Sequence, residues 1–237
     1  MNRTMAVLTA ATLALCSTVT ARHSHAGQNT VTPAIAIPKT NKPSDESGPT
    51  PFPDANLDLW TEQELTGHTR YDLVSVQGVP VLRGSTSGKA SLLYHEQQID
   101  LEKSPWLDWS WKVDHIISGF DEKSRAGDDF PARLYIIVRT GFLPWETLAL
   151  NYVWSSSTPV GSLWFSPFTD KSAMIAVQSG NEKVGLWTHQ RRNVKDDFKT
   201  AFGMDIKAID GFAVMVDGDN TSSSATAWFG DIRFTAP

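Results

Sequence analysis

The side chains with the most chemistry to offer are Asp128, Asp129, Arg133, Tyr135, Asn151, Trp187 and Arg191. The first five sit in two adjoining stretches, Gly127-Asp128-Asp129-Phe130-Pro131-Ala132-Arg133-Leu134-Tyr135 and Leu150-Asn151-Tyr152-Val153-Trp154-Ser155. A guanidinium, a phenol, an amide and an indole together supply donors, acceptors and a stacking surface, a set that suits a polyhydroxylated or acidic saccharide. Neighbouring carboxylates can ligate calcium, hold an arginine or act as acid and base. Adjacent residues of an extended loop point apart, however, so hydrolysis would need a second carboxylate across a groove. Asp108, Asp114 and Glu122 are available for that role, and their spacing selects none of them. A plainer reading stays open beside these: a loop whose aspartates bond backbone amides or Arg133.

Other chemistry is weakly marked. There is no G-x-S-x-G, H-E-x-x-H, phosphate loop or CxxC in the chain. His68, His95, His115 and His189 fall in separate segments without metal-ligand spacing, so no metal ligands are assigned. A lyase built from Tyr135, Arg133, His189 and Arg191 as base and carboxylate neutraliser rests on residue types alone. Asp217, Asp219 and Asn220 begin like a calcium loop, but Ser222 and Trp228 stand where an EF-hand needs Gly and Glu. A less formal structural calcium is left open there.

These residues need strands to position them. Runs at Tyr71–Val76, Pro80–Arg83, Ser91–His95, Gln98–Leu101, Leu107–Val113, Ala132–Val138, Leu148–Trp154, Ala173–Val177, Val184–His189, Phe212–Val216 and Ala225–Phe234 read as strands. Gln77-Gly78 reads as a hairpin turn. One helix is specified, with Asn193 as cap, Asp196 and Asp197 in its first turn and Gly203 after its end. So many strands with so little helix predict an all-β protein, an antiparallel β-sandwich of jelly-roll, galactose-binding-like type.

Side chains alternate along a strand, so each strand divides into two faces. Ala132, Leu134, Ile136 and Val138 form one core set, Leu148, Leu150, Tyr152 and Trp154 a second, and Leu107, Trp109, Trp111 and Val113 a third. Trp109, Trp111, Trp154 and Trp228 are thereby assigned to packing. The residues left over, Asp108, Ser110, Lys112, Arg133, Tyr135 and Asn151, are expected to form one groove, joined by Trp187 and Arg191.

Composition bounds the rest. Met1-Asn2-Arg3, the apolar run Ala6–Leu15 and Ser24-His25-Ala26 read as a signal peptide over residues 1–26, which predicts export to the periplasm or beyond. Lipidation at Cys16 is disfavoured by Leu15, where a small residue is wanted. Loss of Arg3 and Arg22 with the signal would take the formal net charge from −5 to −7, against nucleic acid or anionic lipid as a general partner. Cys16 is the only cysteine, so a mature chain would carry no disulfide. No later run is long enough for a transmembrane helix. Residues 27–56, rich in Pro and Thr, read as a flexible leader, and 57–237 as a single domain. Nothing in the residues sets an oligomeric state.

The stretches Trp106-Leu107-Asp108-Trp109-Ser110-Trp111-Lys112-Val113, Ala126 through Arg133, Leu150 through Ser155, Gln190-Arg191-Arg192-Asn193-Val194 and Asp219-Asn220-Thr221 resemble the Domain of Unknown Function 3047 family. The resemblance runs from about Trp60 to Phe234. It implies an exported bacterial protein with one β-rich domain and supplies no activity. Residue chemistry and resemblance together lead to the expectation of a non-catalytic binder of saccharide or a similar polar ligand at the envelope. A glycoside hydrolase or polysaccharide lyase is the enzymatic alternative, and an envelope protein-interaction module without a small ligand is the third.

Overall fold

Alternation of apolar and polar side chains does become strands, and their order explains which faces are buried. The computed structural model of the protein describes residues 48–53, 56–141, 143 and 146–237. The expected signal peptide and the leader up to residue 47 lie outside the described residues. Twelve strands follow: β1 (Trp60–Thr66), β2 (Arg70–Val76), β3 (Val79–Ser87), β4 (Ala90–Asp100), β5 (Trp106–Val113), β6 (Arg133–Arg139), β7 (Thr147–Ser155), β8 (Leu163–Ser166), β9 (Thr169–Ser179), β10 (Thr188–Asn193), β11 (Ala208–Met215) and β12 (Ser224–Thr235). Helix α1 (Val194–Phe202) lies between β10 and β11.

The strands build two sheets, one ordered β1-β4-β11-β6-β7-β9-β8 and the other β10-β5-β12-β3-β2. The chain passes repeatedly from one sheet to the other, so neighbours such as β4-β11-β6 and β5-β12-β3 come from distant parts of the sequence. That is the wiring of a jelly-roll type sandwich. Pairing is antiparallel except between β7 and β9, which run parallel.

Between the sheets lies an aromatic core. Trp109 stacks on Tyr152 with ring centres 5.1 Å apart, Trp111 lies 5.5 Å edge-on to Trp109, and Trp154 lies 6.2 Å from Trp111. Leu134, Ile136, Leu150 and Val214 fill the seven-stranded side, and Leu82, Ala227 and Phe229 the five-stranded side. The packing role assigned to Trp109, Trp111 and Trp154 therefore holds, each being at most 2% exposed.

Turn and cap chemistry also follows its residue types. Gln77 and Gly78 take φ of 53° and 80° between β2 and β3, the doubly left-handed pair a tight two-residue hairpin requires. Asn193 caps α1 by accepting from the Asp196 amide, and Gly203 ends it at φ 68°.

Several expectations are corrected. The polar run of β1 is a strand because it pairs with β4 at the sheet edge, and such edges tolerate charge. Ser91–His95 and Gln98–Leu101 are one strand, β4. Residues 184–187 form turns, and the strand expected there begins at Thr188. Trp228 does not face the core: alanines 225 and 227 do, and a bulge between Phe229 and Ile232 restores Ile232 to the inside.

The leader's end is also packed. Phe52 is 1% exposed, its amide donates to the Pro80 carbonyl at 2.8 Å, and its ring sits 5.1 Å from Trp60. Thr50 Oγ1 lies 2.6 Å from Ser110 Oγ and accepts from the Asp231 amide at 3.0 Å. Deleting a buried aromatic ring removes its transfer energy and leaves a void, so Phe52→Ala should cost about 3–5 kcal/mol. Urea unfolding of the two proteins measures this; a loss below about 1 kcal/mol would show that Phe52 is dispensable packing.

Candidate functional site

The carboxylates singled out at Asp128 and Asp129 have different partners, Arg133 five residues on for Asp128 and Asn220 and Thr221 in a distant loop for Asp129, and those partners define what the two can do. Arg133, the first residue of β6, is 1% exposed. Its Nε donates to Asp217 Oδ1 at 2.9 Å and its Nη2 to Asp217 Oδ2, a two-pronged pair. Nη1 lies 3.4 Å from Asp128 Oδ1, and Nη2 also reaches the Asp128 carbonyl. The guanidinium packs 4.5 Å above the Phe130 ring.

Asp129 turns the other way, as adjacent residues in extended chain do. Its Oδ2 accepts from both the amide and the hydroxyl of Thr221 at 2.6 Å, and Oδ1 accepts from the Asn220 amide at 3.3 Å. Together the two aspartates clasp the β11–β12 loop to the segment before β6. Gly127 is required just upstream, because a Cβ there would collide with the Asp121 carbonyl. Glu122, one candidate second carboxylate, is buried and accepts from Ser155 Oγ, Thr158 Oγ1 and the Ser156 amide. The plainer reading of these aspartates is thus the one the geometry favours.

Electrostatics in the clasp are lopsided. Burial works against the Arg133 charge, but the Asp217 carboxylate, with Tyr135 and Asp128, holds its pKa above the ordinary arginine value. Burial, opposed by Arg133, pushes Asp128 up to about 6. Asp129, Asp217 and Asp219 each bring one carboxylate oxygen to within 4.8 Å of the others, close enough to share a hard divalent cation such as calcium. Protein donors already occupy part of that set, Arg133 at Asp217 and Thr221 at Asp129.

Tyr135 and Asn151 pair across β6 and β7 on the non-core face of the seven-stranded sheet, the face alternation assigns them. That face is closed: they are 2% and 0% exposed. The Tyr135 hydroxyl donates to Met215 Sδ at 3.3 Å, and burial raises its phenol well above its usual range. Asn151 Nδ2 donates to Ser172 Oγ at 2.9 Å and to the Ala173 carbonyl at 3.2 Å, while Oδ1 finds no partner among the described residues. The segment before β6 covers part of this face, with Phe130 6.2 Å from Trp164, Lys123 5.7 Å over the same indole, and Arg125 bonded to the Pro167 carbonyl.

Asp108, Ser110 and Lys112 belong to β5, in the other sheet, and so look out from the opposite side of the sandwich. The single groove expected from all these residues is not formed. Ser110 is fully buried against Thr50. Around it, Arg191 Nη1 donates to both Asp108 oxygens at 2.9 and 2.8 Å, and its guanidinium lies 4.8 Å from the Trp106 ring. Lys112 Nζ sits 4.1 Å over Trp228 and 5.9 Å from Trp187, so β5, β12 and the residue just before β10 each contribute one member of an indole–ammonium–indole row. Trp228 and Trp106 are half-buried, and Trp187 is 8% exposed. Of the residues expected to bind ligand, Trp187 and Arg191 lie here, whereas Asp128, Asp129, Arg133, Tyr135 and Asn151 lie on or beside the closed face.

A third polar cluster escaped sequence reasoning. Tyr152 Oη and Arg192 Nε both donate to Asp197 Oδ2 at 2.8 Å, pinning α1 to the core edge. Asp197 is 2% exposed and serves as this hub rather than merely as a first-turn acid. An Arg five residues before an Asp across a cap was the available signal.

The family model described as "Protein of unknown function (DUF3047)" matches residues 58–233. No curated protein matches the chain. Among solved structures, it is similar to a family 30 carbohydrate-binding module of a cellulosomal cellulase of Clostridium thermocellum, at 14% identity over 81% of this chain and 94% of that one, TM-score 0.43. It is also similar to CBM28, a carbohydrate-binding module specific for non-crystalline cellulose, at 14% identity over 84% and 100%, TM-score 0.44. The Emp47p carbohydrate recognition domain is 12% identical over 76% and 89%, TM-score 0.42. Likenesses this distant bear no functional weight, and the strand pairing above already defines the sandwich.

Removing Arg133 would strand two buried carboxylates, so Arg133→Met should lower stability by about 3–5 kcal/mol, and adding Asp217→Leu should recover part of it. Urea unfolding reads both; a single-variant loss under about 1 kcal/mol would rule out the clasp as a stabilising element. For Asp128 the folded value of about 6 lies above the unfolded one. Its contribution is therefore fully present below about pH 4 and lost as pH rises through about 6. Asp128→Asn should flatten the fall in melting temperature between about pH 4 and 7, and an unchanged profile would contradict this.

Proposed function

We propose that this chain, which belongs to the DUF3047 family of proteins of unknown function, is an exported, non-catalytic binder of a saccharide or similar polar ligand at the cell envelope. The observation that carries the reading is the outer face of the five-stranded sheet, where Trp187 and Trp228 flank Lys112 and Trp106 lies beside Arg191. Pyranose rings present an apolar C–H face and a rim of hydroxyls. Indole rings answer the first, and the Asp108–Arg191 pair with Lys112 answers the second.

Binding without turnover fits where the acids are. Asp128, Asp129, Asp217 and Glu122 are committed to holding loops. Asp108, beside the indoles, is engaged by both Arg191 and Thr235. Hydrolysis by the usual route needs two carboxyl groups facing each other across the sugar. Export rests on the Met1–Ala26 sequence, whose basic start, apolar run and small-residue end are those of a signal peptide.

A glycan array should therefore give hits with no new reducing ends or unsaturated products. Trp187→Ala and Trp228→Ala should each weaken binding by roughly tenfold, about 1.4 kcal/mol; loss of the half-buried Trp228 should do so with the circular dichroism spectrum unchanged, whereas loss of the 8% exposed Trp187 should also lower the melting temperature. Absence of any glycan hit, or full binding by both variants, would remove the reading.

A further inference from the structure

The outer face of the five-stranded sheet holds several cations, and among the described residues all but one have an anion to answer them. Arg191 is paired with Asp108 at 2.8 Å, Arg233 with Asp231 at 3.0 Å, Arg83 with Asp72 at 2.9 Å and Arg70 with the same Asp72 at 2.8 Å. Lys112, in the middle of the face, forms no salt bridge among the described residues. Its neighbours are the faces of Trp228 and Trp187.

We infer that this site takes an anionic saccharide, a sugar bearing a carboxylate or sulfate, with Lys112 as its charge-reading residue. The inference rests on the saccharide reading above and narrows it. An ammonium over two indoles is partly desolvated, and the ring quadrupoles replace only some of what water gave it. A ligand anion would supply the missing counter-charge in a setting less screened than open solvent. The register helps: Lys112 faces Trp228 directly across β5 and β12, so an acid group meeting the ammonium brings its sugar ring over an adjacent indole. Arg191 is a poor substitute, because the two Asp108 oxygens already claim its Nη1. A lysine ammonium is a compact point charge on a flexible stem, able to swing off the ring as a ligand arrives. The formal charge of the whole chain is −5, so attraction to an acidic glycan must come from a local feature of this kind.

The test uses the full chain with polygalacturonate, alginate and hyaluronan, each beside its carboxyl-reduced counterpart, so that only the charge differs within a pair. The acidic member should bind at least about tenfold more tightly, and raising salt from about 50 to 500 mM should erode that preference. Lys112→Met should abolish the preference, bringing each acidic form down to the affinity that the variant shows for its reduced counterpart, and Lys112→Arg should retain it. Equal binding of acidic and reduced forms, or an acid preference that survives Lys112→Met, overturns the inference while the saccharide reading stands. Binding to neither member of any pair, nor to any glycan on an array, overturns both.

Discussion

The Arg133–Asp217 pair is the constraint around which the seven-stranded sheet is finished. Both groups are at most 1% exposed, and an ion pair taken this far from water holds only if its remaining hydrogen-bonding capacity is met. It is met by segments far apart in sequence. The Asp128 carbonyl and carboxylate, the Phe130 amide and the Phe130 ring all converge on the pair. The loop after β11 and the segment before β6 can therefore occupy only one arrangement. Asp129, fixed next to Asp128, then takes up the Thr221 and Asn220 amides and shapes the turn into β12. β12 lies between β5 and β3, so the clasp on one sheet sets the entry to a central strand of the other.

That linkage explains why the two outer faces of the sandwich differ. Over the seven-stranded sheet, the clasp and its upstream segment lie on the strands, and Phe130 and Trp164 pack there with Val153, Met174 and Ala176. Polar residues beneath this cover, such as Asn151, are shielded from solvent. Over the five-stranded sheet the cover, among the described residues, is the segment around Thr50 and Phe52, which crosses near Ser110 and Gly230. Rows on either side of that crossing keep partly exposed tryptophans and cations.

Much of this was legible from residue order, and the failures have definite causes. Period-two alternation located β5, β6 and β7 and sorted Leu134 from Arg133 and Trp109 from Asp108 correctly. Cap chemistry located α1, because Asn193 and Gly203 act within a few residues of themselves. Alternation says which side of a strand a residue occupies but not which sheet the strand joins. Arg133 and Lys112 were therefore placed in one groove although they face opposite ways. Nor does it say what lies on the non-core side: the partner of Arg133 is 84 residues downstream, and no local pattern announces it. Sorting by faces puts Trp228 with the apolar set of its strand, whereas in β12 the adjacent alanines fill a space already crowded by Trp111 and Phe229.

The arrangement also bears on what kind of recognition this face can perform. Lys112, Trp228 and Asp108 stand on β5 and β12, whose pairing spans the sheet from Val113–Ala227 to Trp106–Thr235. Side chains on paired strands keep their spacing, since moving one requires shifting a whole ladder of hydrogen bonds. Trp187 stands just before β10, outside that ladder, and is held by burial, being 8% exposed. An indole on β12 and a lysine stem rooted opposite it on β5 therefore keep a set spacing, with the buried Trp187 indole beside them. On the saccharide reading proposed above, such a surface would discriminate by the placement of charge along a ligand, because the lysine stem and its neighbouring indole cannot change spacing without breaking the ladder that pairs their strands.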